Sequence, residues 1–360
     1  MDSPTYNTPR PTPKFFQEPQ SFSTKKEKGQ TPRVRIPPPP RPSAKKSATR
    51  LQFAKRNISK AMPVSFKSPD KTISTPLYNE NKRESYFEQC FEIICKLGSG
   101  SFGDVYKVKS KEDGMYYAIK KSKERFKGSV DRKVKLEEVN KHEKLPVHRN
   151  CVKFIKAWEE KDHLYIQTEL CKMSLSAYAD EHHNIAEQLI MNYLIDLLMA
   201  VKHLHDHDLI HMDIKPENVF ISDTDVCKLG DFGLVLDLNK REEWVDALEG
   251  DPKYLAPELM RGNFGKPADI FSLGITILEL ATDLDLPRGD KLWHQLRSGQ
   301  LPDELLKGIS LELKHLIEWM MQPDLNLRPT VDEVLGHRYL CEVCYLNVIL
   351  TFLFYFEKFA

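Results

Sequence analysis

Hydrophobic and polar positions divide the chain into three regions. Residues 1–85 contain few large apolar side chains and many Pro, Ser, Thr, Lys and Arg residues, so they cannot bury enough surface to offset the entropy of ordering. Further along, short apolar runs recur at intervals typical of a folded domain. Residues 343–356 are almost wholly apolar. The pattern therefore predicts a disordered arm over 1–85, a folded domain over 86–340 and a separate apolar tail over 341–360.

The first elements of the folded domain are predicted to be strands. The runs 91–97 and 105–108 are short and apolar, and the sequence G-x-G-x-x-G-x-V begins between them at residue 98. Because strands flank the glycines on both sides, we expect a hairpin that covers phosphate groups, rather than the strand-to-helix turn of a dinucleotide-binding fold. Residues 117–120 predict the next strand, and the charged stretch 131–144 predicts a helix.

A second pair of motifs carries groups suited to phosphoryl transfer. Residues 211–218 read H-M-D-I-K-P-E-N, and D-F-G follows at 231–233. In this pattern Asp213 orients the attacking hydroxyl and accepts its proton, while Asn218 and Asp231 hold Mg²⁺ ions that bridge the phosphates of ATP. A chance match at all these positions is improbable, and the combination resembles the catalytic centre of protein kinases.

Other residues complete this resemblance. Lys120, in the strand 117–120, lies where a kinase contacts the α- and β-phosphates, and it needs a carboxylate partner on the following helix. Helical phase alone allows either Glu137 or Glu138, and the resemblance to kinases favours Glu138. The sequence A-P-E ends at Glu258, whose expected partner is Arg328.

The predicted fold is α+β and bilobal, with a small β-rich N-lobe over 91–170 and a larger helical C-lobe over 171–340. Residues expected to contact ATP are Leu97, Gly98, Ser99, Gly100, Ser101, Phe102, Gly103, Val105, Ala118, Lys120, Thr168, Glu169 and Cys171. Leu97 and Val105 should enclose the adenine. Thr168 is the expected gatekeeper, followed by backbone hydrogen bonds from Glu169 and Cys171.

Charge is distributed unevenly along the chain. Residues 1–85 hold 18 basic and 6 acidic residues, against 35 basic and 46 acidic in the remainder. The basic arm could associate with an anionic membrane or an acidic partner, or it could be a solvated tail; we expect no nucleic-acid partner. Seven scattered cysteines and a polar N-terminus predict a cytosolic setting with free thiols.

The arm and the region beside it contain Ser-Pro and Thr-Pro steps. We expect some of them to be modified by proline-directed kinases, whose phosphate groups would change the charge of the arm. The six steps begin at Ser3, Thr8, Thr12, Thr31, Ser68 and Thr75.

Details of the kinase motifs resemble one group in particular. The activation segment ends E-G-D-P-K-Y over 249–254, and the catalytic loop has H-M-D where most kinases have H-R-D. Both features are similar to the Wee/Myt group of inhibitory cell-cycle kinases. The stretches 109–114, 157–160 and 167–171, with an intact A-P-E, are similar to its membrane-associated tyrosine- and threonine-specific (Myt) branch.

This resemblance implies a dual-specificity (Thr/Tyr) kinase that acts on adjacent Thr and Tyr residues of a mitotic cyclin-dependent kinase–cyclin complex and inhibits it, restraining entry into mitosis. It also implies a cytoplasmic location on endoplasmic reticulum or Golgi membranes, control by mitotic kinases, and an acceptor region that includes Glu249, Gly250, Asp251 and Glu258. Lys215 is the residue that Ser/Thr kinases use to steady the transferring phosphoryl group. Asp251 stands where such kinases normally have threonine, which we expect to help admit either hydroxyl. Met212 cannot pair with a phosphate, so we expect no need for activation-loop phosphorylation.

The apolar tail allows three interpretations. A helix of 14 residues would reach about 21 Å, short of the ~30 Å hydrocarbon core of a bilayer. It could still insert as a short anchor, pack on the kinase lobe, or be an atypical terminus. Two other functions also remain open: a Ser/Thr kinase with different substrates, and a pseudokinase scaffold that binds without catalysis.

Overall fold

A six-stranded antiparallel sheet forms the N-lobe of the computed structural model, which describes residues 60–68, 72–100, 103–240 and 250–345. The strands lie in the order β1-β5-β6-β4-β3-β2. Their bounds are β1 (Met62–Val64), β2 (Phe91–Ser99), β3 (Gly103–Ser110), β4 (Tyr116–Ser122), β5 (Phe154–Glu160) and β6 (His163–Glu169). The sheet is flanked by a short helix α1 (Tyr86–Cys90) and by helix α2 (Ser129–Lys144), which packs against β5 and β6.

Helices dominate the C-lobe. They are α3 (Leu175–Glu181), α4 (Glu187–His205), α5 (Lys266–Thr282), α6 (Lys291–Arg297), α7 (Leu311–Met320) and α8 (Val331–Leu335). Small strands between them are β7 (Met173–Ser174), β8 (Leu209–Ile210), β9 (Val219–Ile221), β10 (Cys227–Leu229) and β11 (Leu236–Asp237). The buried positions of α4 recur every three or four residues, as in Ile190, Leu194, Leu197, Val201 and Leu204. The predicted bilobal α+β fold is confirmed.

Helix α5 is the centre of the C-lobe core and is buried on nearly all sides. Its close packing requires a glycine at position 274, because a Cβ there would lie 2.8 Å from Cγ of Met321 and 3.0 Å from Cβ of Met320. The helix begins beside Pro267, whose fixed φ suits the first turn. This element supplies the buried anchor for the catalytic loop described below.

The prediction of disorder over all of 1–85 is wrong for residues 60–68 and 72–85. Strand β1 pairs with β5, and Ala61 is buried, with its amide donating to the Tyr78 hydroxyl at 2.9 Å. The Tyr78 ring meets Tyr86 edge-on at 5.3 Å, which joins this segment to the N-lobe core. A few apolar residues are enough to order this segment, because they add to a sheet and a core that the rest of the N-lobe already forms. Residues 1–59 lie outside the described part of the chain.

The boundary predicted at residue 340 falls inside a helix. Residues 338–345 are helical, and Leu340 and Val343 are both buried in the C-lobe core. The start of the predicted tail therefore packs on the kinase lobe, while residues 346–360 lie outside the described residues. Among the described helices, none combines the length and the apolar character needed to cross a bilayer.

Candidate active site

The glycine-rich sequence forms a hairpin, as predicted. Strands β2 and β3 pair as far as Ser99 and Asp104, and the Gly100 amide donates to the Gly103 carbonyl at 2.9 Å. Gly103 permits a close approach, because a Cβ there would lie 2.7 Å from the carbonyl oxygen of Lys121. Ser101 and Phe102, at the predicted tip, lie outside the described residues.

The predicted adenine-contacting residues lie together at the junction of the lobes. Ala118 pairs with Thr168 across β4 and β6. Val105 pairs with Gly98 on one side and with Lys120 on the other, which places the hairpin above the catalytic lysine. The remaining members of the group are Leu97, which is exposed, and Glu169 and Cys171, which are partly buried. The pairing of β3, β4 and β6 therefore brings the residues predicted to contact the nucleotide to the same part of the N-lobe sheet.

Lys120 lies between two carboxylates. Its Nζ is 2.8 Å from Oε1 of Glu138 on α2 and 3.0 Å from Oδ1 of Asp231. Burial alone would lower the pKa of Lys120, but Glu138 and then Asp231 outweigh it and raise that pKa, so the ammonium form persists. Of the two partners that sequence left open, Glu138 makes the contact, whereas Glu137 accepts a hydrogen bond from Asn140 at 2.9 Å.

Three rings pack together next to the Lys120–Glu138–Asp231 cluster: those of His142, Phe232 and His211. His142, about one turn beyond Glu138 on helix α2, lies 4.2 Å from the Phe232 ring, centroid to centroid. The His211 ring also contacts Phe232, at 5.7 Å between centroids and in an edge-to-face arrangement. The Nε2 atom of His142 lies 2.8 Å from the Val152 carbonyl, so it must carry the proton and donate. Burial lowers the pKa of His142 to about 4.

Three donors orient the carboxylate of Asp213. Nζ of Lys215 lies 2.9 Å from it, Nδ2 of Asn218 donates to Oδ2 at 2.7 Å, and the Asp251 amide donates to Oδ1 at 3.2 Å. The catalytic loop therefore fixes the direction of this carboxylate before any substrate arrives. The loop brings Asp213, Lys215 and Asn218 together, as the sequence predicts.

The loop itself is anchored to a buried carboxylate on α5. Asp269 accepts hydrogen bonds from the His211 amide at 2.8 Å, the Met212 amide at 3.0 Å and Nε2 of His205 at 3.0 Å. Burial alone would raise the pKa of Asp269, but the hydrogen bonds from His205 and from the His211 amide hold it below its usual value. Met212 is buried in the C-lobe core and has a φ of 69°, a strained conformation that this anchor maintains.

The residues predicted to bind a metal supply oxygen ligands. Asn218 donates both amide hydrogens to Asp213, one to its carbonyl at 2.8 Å and one to its carboxylate, so Oδ1 is the Asn218 atom that would bind a metal. The Gly230 amide donates to the Asn218 carbonyl at 2.9 Å, which holds Asp231 close by. Within the described ranges no group of three or more His, Cys, Asp or Glu side chains is arranged to hold a metal ion. An Asp–Asn pair suits a metal such as Mg²⁺ that arrives with the phosphates completing its shell.

The activation segment returns to the catalytic loop at Gly250. A Cβ at this glycine would lie 2.4 Å from the Met212 carbonyl oxygen and 3.0 Å from Oδ1 of Asp213, so only glycine permits the approach. The Asp251 carboxylate accepts the Lys253 amide at 3.0 Å and stabilises the turn that follows. Glu249 lies outside the described residues.

A buried ion pair closes the segment. Glu258 bonds Arg328 through two contacts, Oε1 to Nη1 at 2.5 Å and Oε2 to Nη2 at 3.0 Å. The Arg328 side chain is fully buried and that of Glu258 is 7% exposed. Because the guanidinium and the carboxylate are joined by two parallel hydrogen bonds, the pair fixes the end of the activation segment relative to the chain around Arg328.

Sequence reasoning missed the residues that hold the segment from the α6 side. The guanidinium of Arg297 donates to the carbonyls of Leu255, Pro252 and Lys253 at 2.8–3.0 Å, and Trp293 Nε1 donates to the Pro252 carbonyl at 2.9 Å. Burial lowers the pKa of Arg297 to about 10. These residues bind backbone atoms and lie about 40 residues beyond the segment, so no motif spacing indicates them. His142 was missed for a similar reason, since its partners are brought together only by the fold.

The fold and this constellation define a protein kinase. The protein kinase domain family model matches residues 91–340, and the chain belongs to that family. Membership implies use of ATP with a divalent metal ion. A membrane-associated tyrosine- and threonine-specific cdc2-inhibitory kinase of Drosophila melanogaster is 51% identical over 254 residues, which is 70% of this chain and 48% of the relative.

Two further relatives support the same grouping. The membrane-associated tyrosine- and threonine-specific cdc2-inhibitory kinase wee-1.3 of Caenorhabditis elegans is 44% identical over 335 residues, 91% of this chain and 49% of the relative. The mitosis inhibitor protein kinase wee1 of Schizosaccharomyces pombe is 33% identical over 287 residues, 72% of this chain and 32% of the relative. The predicted resemblance to the Wee/Myt group is confirmed. The chain spans about half the length of the two relatives with higher identity.

Proposed function

We propose that this protein is a dual-specificity kinase that phosphorylates adjacent Thr and Tyr residues of a mitotic cyclin-dependent kinase in its cyclin complex. The modification inhibits that kinase and restrains entry into mitosis. The observation that carries the proposal is the assembly of Lys120, Asp213, Asn218 and Asp231 with their partners around one cleft. The names of the relatives, which describe inhibition of cdc2, supply the substrate class.

Each residue in the cleft has a chemical task. When bound, ATP with Mg²⁺ supplies the transferable phosphoryl group and neutralises its charge. Lys120 orients the α- and β-phosphates, and Asn218 with Asp231 would hold the metal. Asp213 accepts a hydrogen bond from the acceptor hydroxyl and takes its proton, while Lys215 stabilises charge on the transferring group.

A cavity beside Asp213 supports acceptance of either hydroxyl. Its volume is about 520 Å³, and it is lined by Asp213, Lys215, Leu234, Gly250, Asp251, Pro252, Arg288, Gly289 and Trp293. A volume in this range accommodates a phenol ring as well as a short aliphatic side chain. The carboxylate of Asp251 replaces the threonine of ordinary Ser/Thr kinases at its wall.

Control and location complete the proposal. Proline-directed and mitotic kinases modify the Ser-Pro and Thr-Pro steps of the N-terminal region, and the basic arm together with the apolar residues 346–356 attaches the protein to cytoplasmic faces of endoplasmic reticulum or Golgi membranes. Flotation of the full chain with anionic vesicles, compared with a chain that lacks 346–360 and so keeps Val343 in the core, tests the attachment.

The central test measures phosphoryl transfer. The full chain is incubated with radiolabelled ATP, Mg²⁺ and a purified cyclin-dependent kinase–cyclin complex, and the label is assigned by phosphoamino-acid analysis. We expect phosphothreonine and phosphotyrosine, loss of activity of the substrate kinase, and a decrease of several orders of magnitude for Asp213→Asn. Label on a general acceptor protein but not on this complex would favour a Ser/Thr kinase with other substrates. Equal, background transfer by both proteins would favour a pseudokinase.

A further inference from the structure

The cavity beside Asp213 has an arginine on its wall that the reaction described above does not use. Two of the residues that line this cavity are cationic, Lys215 and Arg288. Nζ of Lys215 lies 2.9 Å from the Asp213 carboxylate. Arg288 is exposed and forms no hydrogen bond or ion pair with the residues that the structure describes. Its guanidinium carries five donors and stays protonated, so it is available to an anion that enters the cavity.

The loop between α5 and α6 fixes the backbone of Arg288 at this wall. Leu286, two residues before it, is buried in the C-lobe core. Asp290, two residues after it, accepts the Trp293 amide at 2.9 Å and caps the start of α6. Gly289 lies between with a φ of 85°, a conformation that glycine adopts without strain. The loop is therefore held on both sides of Arg288, while the guanidinium itself is left without a partner.

The other cation close to the activation segment is already engaged. Lys253 directly follows Pro252, a residue of the cavity wall, and its Nζ lies 3.3 Å from Oδ1 of Asp285. Of Lys215, Lys253 and Arg288, the first two are therefore held by carboxylates. Arg288 is the cation that remains for a substrate.

The charges of the cavity show which substrate group needs this cation. The lining includes two carboxylates, those of Asp213 and Asp251. Lys215 offsets the first, whereas the Asp251 carboxylate accepts a neutral amide, that of Lys253. A phosphate group carries a charge of about −1.5 to −2 at pH 7, so Asp251 would repel it. A phosphate can therefore lie beside the acceptor only if Arg288 offsets that repulsion.

We propose that Arg288 binds a phosphate on the residue next to the acceptor, so that the kinase favours a substrate that already carries the first of two adjacent phosphates. This inference rests on the proposed function, in which adjacent Thr and Tyr residues are both modified. Consecutive Cα atoms lie about 3.8 Å apart, so a hydroxyl at Asp213 brings the neighbouring phosphate to the same cavity. The planar fork of an arginine bonds two phosphate oxygens at once, which gives such a contact both strength and direction.

The test compares three forms of a purified cyclin-dependent kinase–cyclin complex: unmodified, with phosphothreonine alone, and with phosphotyrosine alone at the adjacent pair. For the wild-type chain, kcat/KM for at least one singly phosphorylated form should equal or exceed that for the unmodified complex. Arg288→Gln should lower kcat/KM for that form by about tenfold or more relative to its effect on the unmodified complex. Arg288→Lys keeps the charge without the fork, so it should retain part of the preference.

Lys291→Gln is the matched control. Lys291 is exposed, lies three residues beyond Arg288 and is outside the cavity lining, so its replacement removes the same charge and should leave all three values unchanged. An equally large effect of Lys291→Gln on the phosphorylated form would overturn the proposal, because it would show attraction by net charge and no specific contact.

Other results would also overturn the proposal. Arg288→Gln could lower transfer to all three forms equally, which would assign Arg288 a general role, or it could have no effect. The wild-type chain could modify the unmodified complex and neither phosphorylated form. If the wild-type chain transfers phosphate to none of the three forms, the proposed function fails. Affinity of the singly phosphorylated complexes for the wild-type chain and for Arg288→Gln, measured without ATP, then decides whether Arg288 binds the phosphate.

Discussion

Replacement of His142 by leucine should remove much of the acid sensitivity of this fold. The imidazole is 7% exposed, lies against Phe232 and Phe154, and donates Nε2–H to the Val152 carbonyl. Protonation would place a charge inside this stack. Burial opposes that charge most, Lys120 opposes it further, and the Val152 carbonyl, Asp231 and Glu169 offset part of the cost, which leaves a pKa of about 4.

The magnitude follows from linkage. Between the unfolded value of 6.5 and the folded value of about 4, the unfolded chain binds more protons than the folded one, so stability falls as pH falls through this window. The full effect of His142 is roughly 3 kcal/mol, at 1.36 kcal/mol per pKa unit. About 2 kcal/mol of it should be lost between pH 7 and pH 5. The contribution is fully present above pH 6.5.

The measurement compares the wild-type chain with His142→Leu by urea denaturation at pH 5, 6 and 7, with refolding checked at each pH. Leucine leaves the buried Val152 carbonyl without its donor, so the variant should be less stable at pH 7 by about 1–3 kcal/mol, and the gap should close by about 2 kcal/mol at pH 5. His182→Gln, an exposed control, should leave the pH dependence unchanged. A gap that stays constant across this range would refute the reasoning.

Three other predictions concern the activation segment and the catalytic loop. Arg328→Met leaves the Glu258 carboxylate buried without its partner, which should cost about 3–5 kcal/mol and lower Tm by roughly 6–15 °C; a double variant with Glu258→Gln should lose less than the sum of the single changes, and a Tm within about 3 °C of wild type would contradict this. Asp251→Thr should shift the phosphothreonine-to-phosphotyrosine ratio towards threonine by about threefold or more, and an unchanged ratio would eliminate the specificity role. Because Met212 is buried and offers no cation, phosphatase-treated protein from bacteria should keep its kcat, whereas a large loss would show dependence on a phosphate.

The sequence predicted the parts of the fold that depend on short-range patterns. The apolar runs on both sides of the glycines were enough to place the hairpin, and the spacing from Asp213 to Asn218 was enough to expect both residues in one catalytic loop; the hydrogen bond between their side chains was not predicted. Helical phase did not distinguish Glu137 from Glu138, because the two residues are adjacent and the sequence does not say which face of α2 is turned towards Lys120. The choice depends on how α2 is rotated against β5 and β6, which is a property of tertiary packing.

Long-range contacts to the backbone were beyond prediction from sequence. Arg297 recognises three carbonyl groups, and any residue type can present a carbonyl, so no partner pattern exists in the sequence. Residues 60–68 and 72–85 were predicted wrongly because their composition is that of a disordered arm, while their stability comes from a sheet edge and an aromatic cluster supplied by the rest of the chain. Composition reports what a segment can bury by itself and does not report what a neighbouring surface offers.

The three elements that must align for phosphoryl transfer are held by very different attachments. The catalytic loop is hydrogen-bonded to Asp269, which is 1% exposed, and the activation segment is hydrogen-bonded to Arg297, which is 5% exposed. No modifying enzyme can reach either group while the fold is intact. Helix α2 also has buried attachments, at Val139 in the N-lobe core and at His142 on the Val152 carbonyl. Two further attachments are more accessible: Ser65, which bonds Glu143 and is only partly buried, and Arg132, which bonds Glu159 and whose side chain is 46% exposed. Local opening is easiest where contacts are few and exposed. Of the three elements, α2 is therefore the one whose position can be changed from the surface, and with it the Lys120–Glu138 contact.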